Sequence, residues 1–187
     1  MRIFVAVELD EPCRRALAAV QEVLKGAAGG VRWVRPEGIH LTLKFIGPLD
    51  EQDLPAAVEC LEAAAAGSVP FTMEVAGLGG FPARGTPRVI HVGVREPTGT
   101  LLALQAAVEA GLAERLAIAP EGRPYVPHLT LGRVKDRRAC PPMERIAQAV
   151  ADQQFGSVRV DSMVLMKSDL HAGGAVYTPL HRFALGN

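Results

Sequence analysis

The tetrapeptide His-Leu-Thr-Leu occurs twice in this 187-residue chain, once in each half, at His40-Leu41-Thr42-Leu43 and at His128-Leu129-Thr130-Leu131. Each copy alternates polar and apolar residues, the period-two pattern of a strand with one buried face. Residues i and i+2 of a strand share a face. His40 therefore stands with Thr42 and His128 with Thr130, while the four leucines point into a core. Side by side, two such strands bring two imidazoles and two hydroxyls to one place. A single His-x-Thr is ordinary on a surface strand; a matched pair is a candidate site.

The residue types suit an in-line displacement at phosphorus. Attacking and leaving oxygens lie on opposite sides of the phosphorus atom, so one group must take a proton at one end and another must give one at the other. Two facing histidines, with ordinary pKa values near 6.5, serve as base and acid near neutral pH. Threonine hydroxyls donate to the non-bridging oxygens as charge builds. Lys44, in phase with His40 and Thr42 by simple alternation, either adds positive charge or marks a solvated strand end. Phe45 alternates toward the core with Leu41 and Leu43.

Charge and cysteine content narrow the alternatives. Lys plus Arg and Asp plus Glu each number 20, for a formal net charge of zero, which gives no general hold on long nucleic acid. A nucleic-acid role would rest on a local basic site. Arg133, Lys135, Arg137 and Arg138 form such a run, read either as a solvated loop or as a local site of that kind. The three cysteines, Cys13, Cys60 and Cys140, form no Cys-x-x-Cys pair, which argues against a disulfide framework or zinc thiolate site and for a reducing compartment. The start, Met1-Arg2-Ile3-Phe4-Val5-Ala6-Val7, is too short an apolar run for a signal peptide, and no stretch has the length of a membrane span. The expected location is the cytoplasm. His91, His171 and His181 are scattered, with no His-Glu-x-x-His, so no metal and no cofactor are expected. Gly77-Leu78-Gly79-Gly80 lacks the Lys-Ser/Thr of a P-loop and reads as a turn.

Strands and helices alternate along the rest of the chain. Ile3–Val7 reads as a central strand. Asp10 caps a helix with Cys13, Leu17, Val20 and Leu24 on one face, ending at Gly29-Gly30. Asp50 caps a second, with face Leu54, Ala57, Val58 and Leu61. A third begins near Thr98 or Thr100 and buries Leu101, Leu104, Val108 and Leu112; a fourth is expected over Met143–Asp152. Further strands are expected at Phe71–Val75 and Arg88–Val94, with a Gly- and Pro-rich loop over 77–87 between them. Val158–Met166 and Ala175–Leu185 form a final hairpin around Gly173-Gly174. A helix leads into each motif strand, so the layout repeats. This favours an α+β fold of two lobes about a pseudo-two-fold axis, within one domain over 1–187.

Trp33-Val34-Arg35-Pro36-Glu37 followed by His40-Leu41-Thr42-Leu43-Lys44-Phe45-Ile46-Gly47 resembles the first motif of the RNA 2′,3′-cyclic phosphodiesterases. These are also called 2′–5′ RNA ligases, within the two-histidine (2H) phosphoesterases. Arg123-Pro124-Tyr125-Val126-Pro127-His128-Leu129-Thr130-Leu131-Gly132-Arg133 resembles the second motif. The beginning of the chain and Ser168, Leu170, Tyr177, Leu180 and Phe183 near its end are also similar. The resemblance implies a bilobal fold of mixed or antiparallel sheet with outer helices around a central cleft. It implies metal-independent hydrolysis of RNA 2′,3′-cyclic phosphate ends to 2′-phosphomonoesters, with 2′–5′ ligation as the reverse chemistry. His40 would be the proton donor, His128 the proton acceptor, and Thr42 and Thr130 the phosphate contacts. Arg123 and Tyr125 become candidate phosphate and base contacts, with a structural role open for Tyr125. His91 departs from a tryptophan or other large apolar residue in relatives, which bears on the cleft wall and substrate preference. The expected partners are RNA 3′ termini or small cyclic phosphates, acted on by a monomer. Two other readings stand beside this one: a phosphodiesterase for a small cyclic phosphate such as an ADP-ribose cyclic phosphate, and a non-catalytic module that binds RNA ends.

Overall fold

A computed structural model describes residues 1–150, 155–171 and 174–186. Its strands and helices run, in chain order, β1 (Arg2–Val7), α1 (Glu11–Ala27), β2 (Val31–Trp33), β3 (Leu41–Pro48), α2 (Leu54–Ala66), β4 (Phe71–Phe81), β5 (Val89–Arg95), α3 (Thr100–Leu116), β6 (His128–Val134), α4 (Met143–Gln148), β7 (Ser157–Val160), β8 (Ser162–His171) and β9 (Gly174–Ala184). The helix faces follow the apolar spacing. Cys13, Leu17, Val20 and Leu24 are buried on α1, whose N-cap Asp10 accepts a hydrogen bond from the Cys13 amide at 2.9 Å. Asp50 makes no such bond; a 3₁₀ turn over Glu51–Asp53 leads into α2 instead. The fourth helix ends at Gln148, before the Asp152 expected, with Ala149 and Val150 in a turn; residues 151–152, and Gly173 of the last turn, fall outside the described residues.

The sheet runs in the order β7-β4-β5-β6-β3-β1-β8-β9, with β2 also pairing to β6. Every strand pairing is antiparallel. The stretch expected as one strand from Val158 is two, because Asp161 alone separates β7 from β8 while they occupy distant places in the sheet order. The sheet must therefore curl until β7 approaches β8. β4 extends beyond the expected strand, taking in Gly77-Leu78-Gly79-Gly80. Gly77 is an unpaired bulge residue with φ +78°, pairing with β5 keeps Leu78, Gly79 and Gly80 extended, and Gly79 faces His91, whose Cε1 lies 2.8 Å from where a Cβ would be. The glycine is there to admit a ring.

The sheet has two halves, β7-β4-β5-β6 with β2 and β3-β1-β8-β9, and between β3 and β6 a single residue pair, Leu41 and Leu129, holds them together. The convex face packs Leu41, Leu43, Leu129 and Leu131 against the apolar faces of α1 and α3 in one core. A smaller cluster of Phe4, Ala6, Val164 and Met166, with Tyr177 against it, forms on the other face. Among the described residues no helix is long and apolar enough to cross a membrane.

Candidate active site

The antiparallel pairing of Leu41 with Leu129 sets the centre of the site. One step either way along the strands places His40 opposite Thr130 and Thr42 opposite His128. Both leucines are fully buried, so the histidines and threonines share the opposite, concave face. The four, with Arg133 and Tyr177, line one small cleft. Each histidine thus faces the other motif's threonine.

A β-bulge follows each threonine. Ala6 pairs with Thr42 and Val5 with Lys44, leaving Leu43 as the extra residue. His91 pairs with Thr130 and Ile90 with Gly132, leaving Leu131 as the extra residue. An extra residue shifts the strand's alternation and leaves backbone groups without ladder partners. Two buried glutamines add donors there, the Leu131 carbonyl also accepting from the Val34 amide at 2.8 Å. Gln21 of α1 gives Nε2–H bonds to the carbonyls of Leu131 at 2.9 Å and Val34 at 2.8 Å, and Gln105 of α3 reaches the Leu43 carbonyl at 3.5 Å. Each helix therefore braces the bulge of the other half's motif. Polar residues on otherwise apolar helix faces were the available sequence signal for this pair.

The bulges correct two expectations. Lys44 turns away from Thr42; its side chain is 2 % exposed, its ammonium pairs with Glu109 at 3.1 Å and donates to the Ala119 carbonyl at 2.8 Å. Its charge is already engaged, and it is neither a solvated strand end nor in phase with the histidine face, although it contributes to the lining of the cavity beyond Thr42. Phe45, expected in the core, is 54 % exposed and lines the cleft. The same shift carries Arg133, placed by the sequence at the end of the second motif and in a basic run, into the cleft beside Thr130.

His128 Nδ1 lies 2.7 Å from the Val126 carbonyl; a carbonyl only accepts, so Nδ1 carries a proton, and in the neutral ring Nε2 is the free acceptor. Near His40 the backbone of Gly38, also two residues upstream, favours the charged ring. His40 stacks on Phe4 with centroids 4.7 Å apart and meets Tyr177 edge-on at 5.0 Å. Burial in this aromatic box pushes its pKa down to about 4. His128 meets Phe81 and His91 edge-on at 5.0 and 5.2 Å. His91 is buried, stacked on Phe81 at 4.3 Å, and burial together with the nearby His128 holds it down to about 4. The departure noted at His91 is thus part of the wall behind His128.

Beyond Thr42 and His128 the cleft opens into a cavity of about 530 Å³. Phe45, Phe81, Tyr125 and Val126 give it apolar walls, and exposed Arg123 stands at its rim. The Tyr125 hydroxyl donates to the Thr42 carbonyl at 2.9 Å. The structural role left open for Tyr125 is therefore present, and its ring faces the cavity as well. Among the described residues no group of three or more His, Cys, Asp or Glu side chains is arranged to hold a metal ion.

The profile of the 2′-5′ RNA ligase superfamily matches residues 9–172. The chain belongs to that superfamily. A relative from Methanothermobacter thermautotrophicus, named RNA 2′,3′-cyclic phosphodiesterase, is 35 % identical over 185 residues, 99 % of each chain. The crystal structure of TT0787 of Thermus thermophilus superposes with a TM-score of 0.83 at 33 % identity, covering 99 % of this chain and 98 % of that one. E. coli LigT complexed with 3′-AMP superposes with a TM-score of 0.78 at 25 % identity, covering 100 % and 98 %. The curled antiparallel sheet with outer helices is the fold of these superfamily members.

Proposed function

We propose that this protein hydrolyses RNA 2′,3′-cyclic phosphate termini to 2′-phosphomonoesters. The observation that carries the reading is the two histidines, each facing the other motif's threonine on one concave face. His128 Nε2 takes a proton from water as the water oxygen bonds to phosphorus. The bond from phosphorus to the 3′-oxygen breaks, and protonated His40 gives its proton to that oxygen. His128 ends protonated and His40 neutral; exchange with solvent restores both. Thr42, Thr130 and the Arg133 guanidinium hold the non-bridging oxygens as negative charge builds on them. Both proton transfers come from side chains, so this reading needs no metal.

The face of Phe4 favours the His40 imidazolium once it forms. The apolar cavity past Thr42 accommodates the terminal base, which favours a nucleotide end over a phosphate without an aromatic group. The names of the relatives support the same substrate class. The three buried free cysteines suit a reducing, cytoplasmic setting, and a cleft lined by residues of one chain is compatible with a monomer. The reverse reaction would join ends through a 2′–5′ linkage.

Phosphorus NMR of a short RNA with a 2′,3′-cyclic phosphate, incubated with the protein and a chelator, tests the reading. The expected product is a 2′-phosphate, formed about 10²- to 10⁴-fold more slowly by His40→Ala or His128→Ala. A 3′-phosphate product would reverse the leaving group, and activity lost to chelator and restored by metal would overturn the metal-free mechanism.

A further inference from the structure

The cleft has two unlike ends. Past Thr42 and His128 lies the apolar cavity; past His40 and Thr130 lie Tyr177 and a group of arginines. Arg32 on β2 pairs directly with Arg133 on β6. Directly opposed residues share a face, with Cβ atoms about 5 Å apart, so Arg32 stands beside Arg133 on the concave side. The neighbours of this pair, Val31 and Trp33, point the other way and fill the space over Gly132. Arg2 at the start of β1 completes the group. Arg133 and Arg2 both lie close enough to Tyr177 to oppose the upward push that burial gives its phenol.

These cations are not engaged by the fold. Arg14 and Arg182 pair with Glu8, Arg95 with Glu74 and Arg115 with Glu59. Among the described residues Arg2, Arg32 and Arg133 have no carboxylate partner, and all three are exposed. Like charges directly opposed across two strands are destabilising. Arg32 and Arg133 are opposed in this way, an arrangement that an anion between or beside them would relieve.

We propose that Arg32, supported by Arg2, forms a second anion subsite for the phosphodiester immediately upstream of the terminal nucleotide. The inference rests on the RNA-end reading above. There the 3′-oxygen of the terminal ribose sits at His40, so the C4′ and C5′ side of the sugar leaves the site on His40's side. The 5′-linked phosphate is carried toward Arg32 and Arg2, while the base, joined next to the 2′ position, is left for the apolar cavity. Arg133 holds the reacting phosphate and Arg32 the next one. The subsite makes the enzyme selective for the end of a polynucleotide over a small cyclic phosphate, although the protein as a whole carries no net charge.

The test compares a nucleoside 2′,3′-cyclic phosphate with a trinucleotide of the same terminal base and the same cyclic end. Both are assayed at several salt concentrations with the wild type, Arg32→Ala, Arg32→Lys and, as a net-charge control, Arg115→Ala. The wild type is expected to favour the trinucleotide on the order of tenfold in kcat/KM. Arg32→Ala loses that preference through KM, and its salt slope for the trinucleotide is shallower by about 0.7. Arg32→Lys keeps part of the preference, and the control keeps all of it. A preference unchanged in Arg32→Ala, or an equal loss on both substrates, overturns the subsite while leaving the cyclic phosphodiesterase reading intact. Turnover of neither substrate by the wild type overturns that reading, and the subsite with it.

Discussion

A general acid must hold a proton when the leaving group departs, yet burial sets His40 at about 4 in the free protein. At pH 7 only about one His40 in a thousand would then be protonated. Substrate supplies the correction. A phosphate charge about 4 Å away, at an effective dielectric constant near 20, favours the imidazolium by roughly 4 kcal/mol, or about 3 pH units. Bound phosphate therefore brings His40 back to around neutrality, and the acid is charged by the molecule it acts on. The assay is an NMR titration of the His40 ring in the free protein and in complex with a nucleoside 2′-phosphate. The ring is expected to titrate near 4 when free and about 3 units higher when bound. A free value near 6.5, or one that does not move on binding, would refute the reasoning and return the acid role to open question.

The same burial makes stability depend on pH. His40 and His91 are both held well below the ordinary histidine value, so the unfolded chain takes up their protons first as pH falls. Their contribution is complete above about pH 6.5 and is lost toward pH 4, by on the order of 3 kcal/mol for each. Urea unfolding at pH 7 and 4.5 measures it, and His91→Phe should show a smaller acid loss than the wild type. Gln21→Leu removes a donor to two carbonyls from a side chain that is 2 % exposed, the Leu131 carbonyl keeping the Val34 amide, and is expected to cost about 1–2 kcal/mol in urea unfolding. The bulge it braces also positions Arg133, so kcat falls as well; a loss under about 0.5 kcal/mol with normal kcat would remove the bracing role. Lys44→Met leaves Glu109 with the Glu121 amide but no cation and is expected to cost about 1–3 kcal/mol of stability. A raised KM with unchanged stability would instead restore Lys44 to the substrate.

Much of the site was legible because it depends on strict alternation over four residues. His40, Thr42, His128 and Thr130 lie before either bulge, so period two assigns their faces correctly, and the leucines between them locate the core. Lys44 and Phe45 lie after one, where the same rule assigns the wrong face. Neither bulge has a local signal: Leu43 and Leu131 are ordinary strand residues, and the donors that brace them, Gln105 and Gln21, are remote in sequence. The face on which Arg133 stands was hidden for the same reason. The extension of β4 was missed because Gly79 resembles turn chemistry, whereas its lack of a Cβ is what lets the His91 ring pack across the strand. Asp50 suits an N-cap by type, but the 3₁₀ turn after it takes up the entry to α2.

The bulges also explain how a nearly symmetric backbone becomes a directional site. Phe45 and Arg133 stand at equivalent places, three residues past Thr42 and Thr130, and both are turned into the cleft by an extra leucine. One is apolar and opens toward the cavity; the other is cationic and stands beside Arg32. The Leu-Thr-Leu that follows each histidine is the same, so the motif alone does not divide the two into acid and base. The ends of the cleft supply one, because a nucleotide must lay its base in the apolar end and its charged backbone along the basic end. That orientation sets which ribose oxygen lies at His40. On the proposed reading, the polarity of the reaction therefore resides in Phe45 and Arg133, residues that follow the motifs, rather than in the motif itself.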